Sequence, residues 1–107
     1  KAPIIFGDGS QIRDFIFVED IAVANLLSME SKVENLLVNI GSGKPITILE
    51  LANIMIKFSK LKLKPIFKSS LDGDIQNSQA DITLANENFN WKPKKMVTDW
   101  LEETLKI

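Results

Sequence analysis

The chain has no cysteine, no histidine and no tyrosine among its 107 residues. Without cysteine there is no disulfide framework and no thiolate metal site. Without histidine the commonest metal ligand and the commonest general base at neutral pH are both missing. Without tyrosine no phenol is available for acid–base work. Glycine and proline are sparse, at 5 and 4 residues, so low-complexity sequence is excluded. Neither sign of charge prevails, since 13 basic and 14 acidic side chains leave a formal net charge of −1. No general field draws such a chain to nucleic acid or to an anionic membrane, and any anion must be held by a local constellation. No apolar run approaches the ~20 residues of a membrane span, and no signal sequence is visible. These absences lead to the expectation of a soluble, cytoplasmic protein that binds neither nucleic acid nor membrane.

What is present is a globular composition, 45% hydrophobic. The length fits one small domain or a piece of a larger one. Lys1-Ala2-Pro3-Ile4-Ile5-Phe6 is strand-like from its outset and carries no initiator methionine. The expectation is a segment excised from a longer chain.

Ile4, Ile5 and Phe6 form an apolar, partly β-branched run ending at Gly7-Asp8-Gly9, which predicts a strand and a tight turn. Asp14 to Val18 alternates Phe15 and Phe17 against Ile16 and Val18, which predicts a strand covered on both faces. A helix is predicted from Glu19 to about Ser31, with Asp20 near its N-terminus. Its run Ile21, Ala22, Val23, Ala24, Leu26, Leu27 and Met29 is apolar on more than one face, more than a surface helix needs, and implies contact with something outside these residues. Leu36 to Ile40 reads as a further strand. Thr47-Ile48-Leu49-Glu50 has the pattern of a capping box, opening a helix to Lys60 with Ile48, Leu51, Ala52, Met55 and Phe58 as its buried stripe. Leu63 to Phe67 reads as a strand and Ser69 to Ala80 as an irregular polar stretch. Asp81 suits the cap of a short helix carrying Ile82, Ala85 and Phe89, and Thr98 to Lys106 reads as the last helix. Trp91 and Trp100 are expected in the core. Lys57, Lys60, Lys62, Lys64 and Lys68 form a solvated basic face with a steering role.

The stretch from Gly7 to Phe15 is the most informative. A glycine turn lets backbone approach a ligand, and Arg13 offers a planar fork that pairs with phosphate oxygens in bidentate fashion. The competing reading is a plain turn with Arg13 paired to Asp8 or Glu19, a weak surface contact. Likewise, Asn39 either touches a ligand or caps its turn, and Asp74 either touches a ligand or organises its own loop.

Gly7-Asp8-Gly9-Ser10-Gln11-x-Arg13-Asp14-Phe15-x-x-Val18-x-Asp20 resembles a signature segment of the extended short-chain dehydrogenase/reductase family, the NAD-dependent epimerase/dehydratases typified by UDP-glucose 4-epimerases. Asn39-Ile40-Gly41-Ser42-Gly43, Gly73-Asp74-Ile75 with Ala80-Asp81-Ile82, and Phe89-Asn90-Trp91-Lys92-Pro93 resemble later family segments in the same order. The resemblance implies an α/β protein, here a small α+β-like lobe of short strands and about four helices without its Rossmann domain. Residues 1–107 would form a single NDP-sugar-binding domain, with UDP-sugar as the expected ligand. The resemblance places Arg13 on the diphosphate, Ile4, Ile5 and Phe6 along the base, Asn39 near the nucleotide and Asp74 at the ribose hydroxyls. It implies an epimerase, with dehydratase or reductase as close variants; a non-catalytic nucleotide- or protein-binding module is the alternative.

Family chemistry needs a Gly-x-x-Gly-x-x-Gly turn under the NAD(P) diphosphate and a Tyr-x-x-x-Lys pair, and this sequence holds neither. No catalytic residue and no cofactor are therefore assigned to this chain. NAD(P) is implied for a parent protein with a Rossmann domain before Lys1, and that parent is expected to be a homodimer. Leu71 stands where many members have a second diphosphate-binding arginine, with Lys68 as a nearby substitute cation, and Phe17 stands where tyrosine or histidine is frequent.

Overall fold

The computed structural model describes residues 1–105. Four short strands and four helices follow in the order β1 (Ile4–Phe6), β2 (Ile12–Arg13), α1 (Val18–Glu30), β3 (Ile46–Thr47), α2 (Ile48–Ser59), β4 (Ile66–Lys68), α3 (Thr83–Phe89) and α4 (Val97–Leu105). This is the small α/β lobe expected from the sequence. The strands form two two-stranded sheets. β1 and β4 run parallel with Ile4, Ile5 and Phe6 opposite Ile66, Phe67 and Lys68. β2 and β3 run antiparallel, with Ile12 opposite Thr47 and Arg13 opposite Ile46. The segment at Asn77 extends the second sheet through a parallel bridge to Ile12.

The helices lie close to their predicted positions because their signals are local. Thr47 Oγ1 accepts from Glu50 N at 3.1 Å, which is the forward half of the capping box. Lys60 takes a left-handed conformation (φ 61°) and ends α2. Asp81 is not itself the cap of α3: the cap position is Ile82, without a side-chain hydrogen bond, and Asp81, one residue before it, accepts from Thr83 N at 3.0 Å through Oδ1. α4 begins one residue earlier than predicted, and the predicted end at Lys106 lies outside the described residues.

Two predicted strands do not form. Asp14 to Phe17 is irregular, and Val18 already belongs to α1. The alternation of Phe15, Ile16 and Phe17 reflects half-burial on both sides of an extended entry into the helix. Leu36 to Ile40 has no strand partner among the described residues, and Leu37 is 90% exposed. Apolar alternation makes a strand only where a neighbouring backbone accepts its hydrogen bonds. The strand predicted at Leu63 to Phe67 begins later, at Ile66.

The core gathers around Trp91, buried together with Ala24 and Ala85 and packed by Ile16, Leu27, Val38, Ile40, Ile82 and Phe89. Trp91 Nε1 donates to Asp20 O at 2.9 Å, and buried Asp20 accepts from Lys95 N at 3.1 Å, so the polar groups here are satisfied. Ile5, Ile46, Ala52 and Leu101 bury elsewhere in the lobe. Trp100 is not in the core as expected: it is 42% exposed and lines an apolar cleft of about 310 Å³ with Phe15, Phe17 and Met96. In the α2 stripe Ala52 is buried, while Met55 remains 39% exposed. The five lysines of the basic face are all exposed.

Candidate functional site

The site grows from the turn between β1 and β2. Gly7 and Gly9 have φ of 96° and 80°, a left-handed backbone that other residues rarely adopt. Asp8 closes the turn by accepting from Ser10 N at 2.9 Å and Ser10 Oγ at 2.6 Å, and the Ser10 hydroxyl and amide hold its carboxyl below the ordinary value. The expectation that the glycines bring backbone to a ligand is corrected at Gly9. A Cβ there would lie 2.8 Å from Leu49 Cβ, and Gly9 O accepts from Leu49 N at 2.9 Å. The close approach is to the first turn of α2.

Beyond the turn, three of the predicted residues, Phe6, Arg13 and Asp74, meet through Gln11. Arg13 Nη2 donates to Asp74 Oδ1 at 2.7 Å, while Arg13 Nη1 donates to Ile12 O at 2.7 Å. Gln11 Nε2 donates to Phe6 O at 3.1 Å and lies 3.4 Å from Asp74 Oδ2. Phe6, Arg13 and Asp74 thus belong to one polar network, and Ile5 anchors the strand by burying its side chain while Ile4 stays exposed. Arg13 pairs with neither Asp8 nor Glu19. Lys68 stands opposite Phe6 in the parallel pair, and Leu71 is 54% exposed on the loop that leads to Asp74.

Asn39 is outside this network. It lines a separate cleft of about 280 Å³ with Asp14, Ile40, Gly41 and Ala80. Among the described residues its side chain makes no hydrogen bond that would mark it as a turn cap.

Two important residues carried no assigned role in the sequence. Gln11 is buried and joins the strand end to Asp74; a glutamine beside a turn has no signature that announces this. Asp14 accepts from Ser42 N at 2.7 Å and Ala80 N at 3.3 Å, tying three segments together. Burial pushes its carboxyl up, but donors from Ser42, Ala80 and Gly43 outweigh this and leave it below the ordinary value. A Cβ at Gly41 would lie 2.7 Å from Asp14 Oδ2 and 2.7 Å from Ala80 Cβ, so only glycine fits under this clamp. The signal was the position of Asp14, between Arg13 and Phe15.

A dinucleotide needs a helix start whose backbone N–H groups point at phosphate. α2 follows the glycine turn at Gly41 to Gly43, yet its first amides are taken: Ile48 N donates to Gln11 O at 3.0 Å, Leu49 N to Gly9 O at 2.9 Å and Glu50 N to Thr47 Oγ1 at 3.1 Å. That helix start does not fit NAD. Among the described residues no three acidic groups gather as a metal site would require, and no helix is long and apolar enough to cross a membrane.

Comparison with known proteins bears on the fold that carries these residues. The NAD dependent epimerase/dehydratase family model matches residues 1–41. A UDP-glucuronate 4-epimerase of Thermodesulfobacterium geofontis is 32% identical over 102 residues, covering 94% of this chain and 31% of its own length. The crystal structure of UDP-glucose 4-epimerase with UDP-glucose from Thermotoga maritima superposes with a TM-score of 0.90 at 34% identity, over 99% of this chain and 34% of that one. UDP-glucuronic acid 4-epimerase from Bacillus cereus, in complex with UDP-glucuronic acid and NAD, superposes with a TM-score of 0.87 at 29% identity, over 98% of this chain and 34% of that one. The chain spans about a third of the length of the relatives it matches. Over that third, the chain is similar to proteins of the NAD dependent epimerase/dehydratase family.

Proposed function

We propose that this chain is the nucleotide-sugar-binding lobe of an NAD-dependent sugar-nucleotide 4-epimerase, with a UDP-sugar as its ligand. The observation that carries the reading is the network of Phe6, Gln11, Arg13 and Asp74 at the end of β1, in a fold shared with an epimerase solved with UDP-glucose. In this reading Arg13 holds the diphosphate through its planar fork. Asp74 accepts from the ribose hydroxyls, the β1 backbone at Ile4 to Phe6 lies along the base, and Asn39 faces the nucleotide from the neighbouring cleft. The lobe contributes position: a sugar held at a fixed diphosphate reaches the reacting centre without a search.

NAD(P), held by a Rossmann domain elsewhere in the parent protein, supplies hydride acceptance when bound. The first amides of α2, already bonded to Gln11 O, Gly9 O and Thr47 Oγ1, offer no seat for it. Apolar side chains left exposed on α1, among them Val18, Leu26 and Met29, suit the surface such a domain would cover. Dehydratase and reductase are variants on the same lobe, since the sugar's fate is decided outside it.

The test is calorimetry or NMR titration of the chain with UDP-glucose and with NAD. Weak UDP-glucose binding that disappears in Arg13→Ala is expected, together with no NAD binding. Micromolar affinity that persists in Arg13→Ala would remove Arg13 from the site, and a measurable NAD complex would overturn the division of labour.

A further inference from the structure

The guanidinium assigned to the diphosphate already holds an anion. Asp74 Oδ1 accepts from Arg13 Nη2 at 2.7 Å, and Asp74 Oδ2 faces Gln11 Nε2 at 3.4 Å, so both carboxylate oxygens meet donors from the β1–β2 segment. Arg13 Nη1 is fixed on Ile12 O. The pair is open to solvent, with side-chain exposures of 25% for Arg13 and 33% for Asp74. Just beyond Asp74 the segment is tied to β2, where Ile12 N donates to Gln76 O at 2.7 Å and Ser78 N donates to Ile12 O at 3.0 Å, so the carboxylate leaves Arg13 by a turn of the Asp74 side chain and its local loop, not by release of the whole segment. The segment is exposed from Ser69 to Gln79. Asp74 N donates to Leu71 O at 3.3 Å in a local turn, and Gly73 has φ of 80° and open space beside it.

We propose that Asp74 is a latch on Arg13 that makes the site selective for ribonucleoside diphosphates over ribose-free diphosphates. The proposal rests on the reading of Arg13 as the diphosphate contact and Asp74 as the ribose contact, and adds a specificity role to it. A phosphate oxygen that takes Arg13 must displace the carboxylate, because two anions crowded on one guanidinium repel each other. The displaced carboxylate loses its charge-assisted hydrogen bond. A ribose diol brings hydroxyl donors that replace the loss. Inorganic diphosphate brings none. Every ligand opens the latch, and only a ribonucleoside ligand satisfies it once open. With Leu71 where a second arginine is frequent, no guanidinium at that position offsets the repulsion.

The experiment titrates the wild-type chain, Asp74→Asn and Arg13→Ala with inorganic pyrophosphate and with UDP. Asp74→Asn is expected to bind pyrophosphate about tenfold more tightly than the wild-type chain, with UDP affinity changed much less, on the scale of a half-exposed ion pair removed together with its repulsion. No gain on pyrophosphate, including no binding by either chain, overturns the latch. A second comparison needs no substitution: 2′,3′-dideoxy-UDP is expected to bind the wild-type chain about tenfold more weakly than UDP, one lost charge-assisted contact. Equal binding of the two nucleotides also overturns it. Arg13→Ala separates the two readings. If that variant keeps UDP affinity, the diphosphate assignment itself falls. If it loses UDP while Asp74→Asn gains nothing on pyrophosphate, the latch alone falls.

Discussion

Asp14 shows how one side chain can matter to a site without touching a ligand. Its carboxylate joins the end of β2 to Ser42 and Ala80, and Gly41 leaves room for it. Because its folded-state carboxyl is held below the ordinary value, the folded chain binds fewer protons than the unfolded chain between the two pKa values. The stabilisation is therefore present above the unfolded value of about 3.9 and is lost as pH falls through the folded value. Asp14→Asn keeps the shape, but its amide has only one acceptor oxygen for the donors that two oxygens serve now. A loss of about 1–2 kcal/mol in urea unfolding at neutral pH is expected, taken from the low end for charged hydrogen bonds because the group is part-exposed. The difference between wild type and variant should shrink below pH 4; a gap that stays constant to low pH would assign the effect to shape alone. Arg13 lay in the sequence's most informative stretch, and its partner did not. The sequence suggested Asp8 or Glu19, both nearby in the chain, whereas Asp74 is 61 residues away. Pairings over that span depend on the loop path, which no local pattern encodes.

Secondary-structure elements divide in the same way between local and distant causes. α2 was legible at both ends, from Thr47 with Glu50 three residues on and from the apolar spacing to Phe58. Thr47→Ala removes the one side-chain acceptor at its start and should cost about 1 kcal/mol. Lys60→Gly should instead stabilise by roughly 0.5–1 kcal/mol, because a lysine now holds the left-handed position that glycine adopts without strain. Equilibrium unfolding of the two variants, with opposite shifts in midpoint at unchanged slope, checks both. The strands were the less legible part. Leu36 to Ile40 has the composition of a strand, but pairing belongs to two segments and only one is at hand. Phe15 to Val18 has the alternation of a strand, yet the chain turns there into α1. Trp100 was placed in the core from residue type alone, and that inference fails where a helix borders an open cleft.

The whole molecule is a plate, 51 × 36 × 15 Å, with a radius of gyration of 16.6 Å. A compact chain of this length would have a radius near 13 Å, roughly. It exposes 7843 Å², where a compact monomer of 12.0 kDa exposes about 6,000 Å². The excess is of the size one partner contributes to a large, stable interface, and much of it is apolar. Met29 is 83% exposed and Leu37 90% exposed, on and just beyond α1. Side chains this open contribute little to the lobe's own fold, since surface substitutions stay within about 0.5 kcal/mol. They do leave apolar surface open to water, which favours self-association. Met29→Lys combined with Leu37→Lys should therefore reduce self-association measured by sedimentation velocity while moving the melting temperature by only a few degrees, about 2–4 °C at most. A loss of stability well beyond that would mean that both side chains pack inside the lobe in solution, and the uncovered face would then be no docking surface at all.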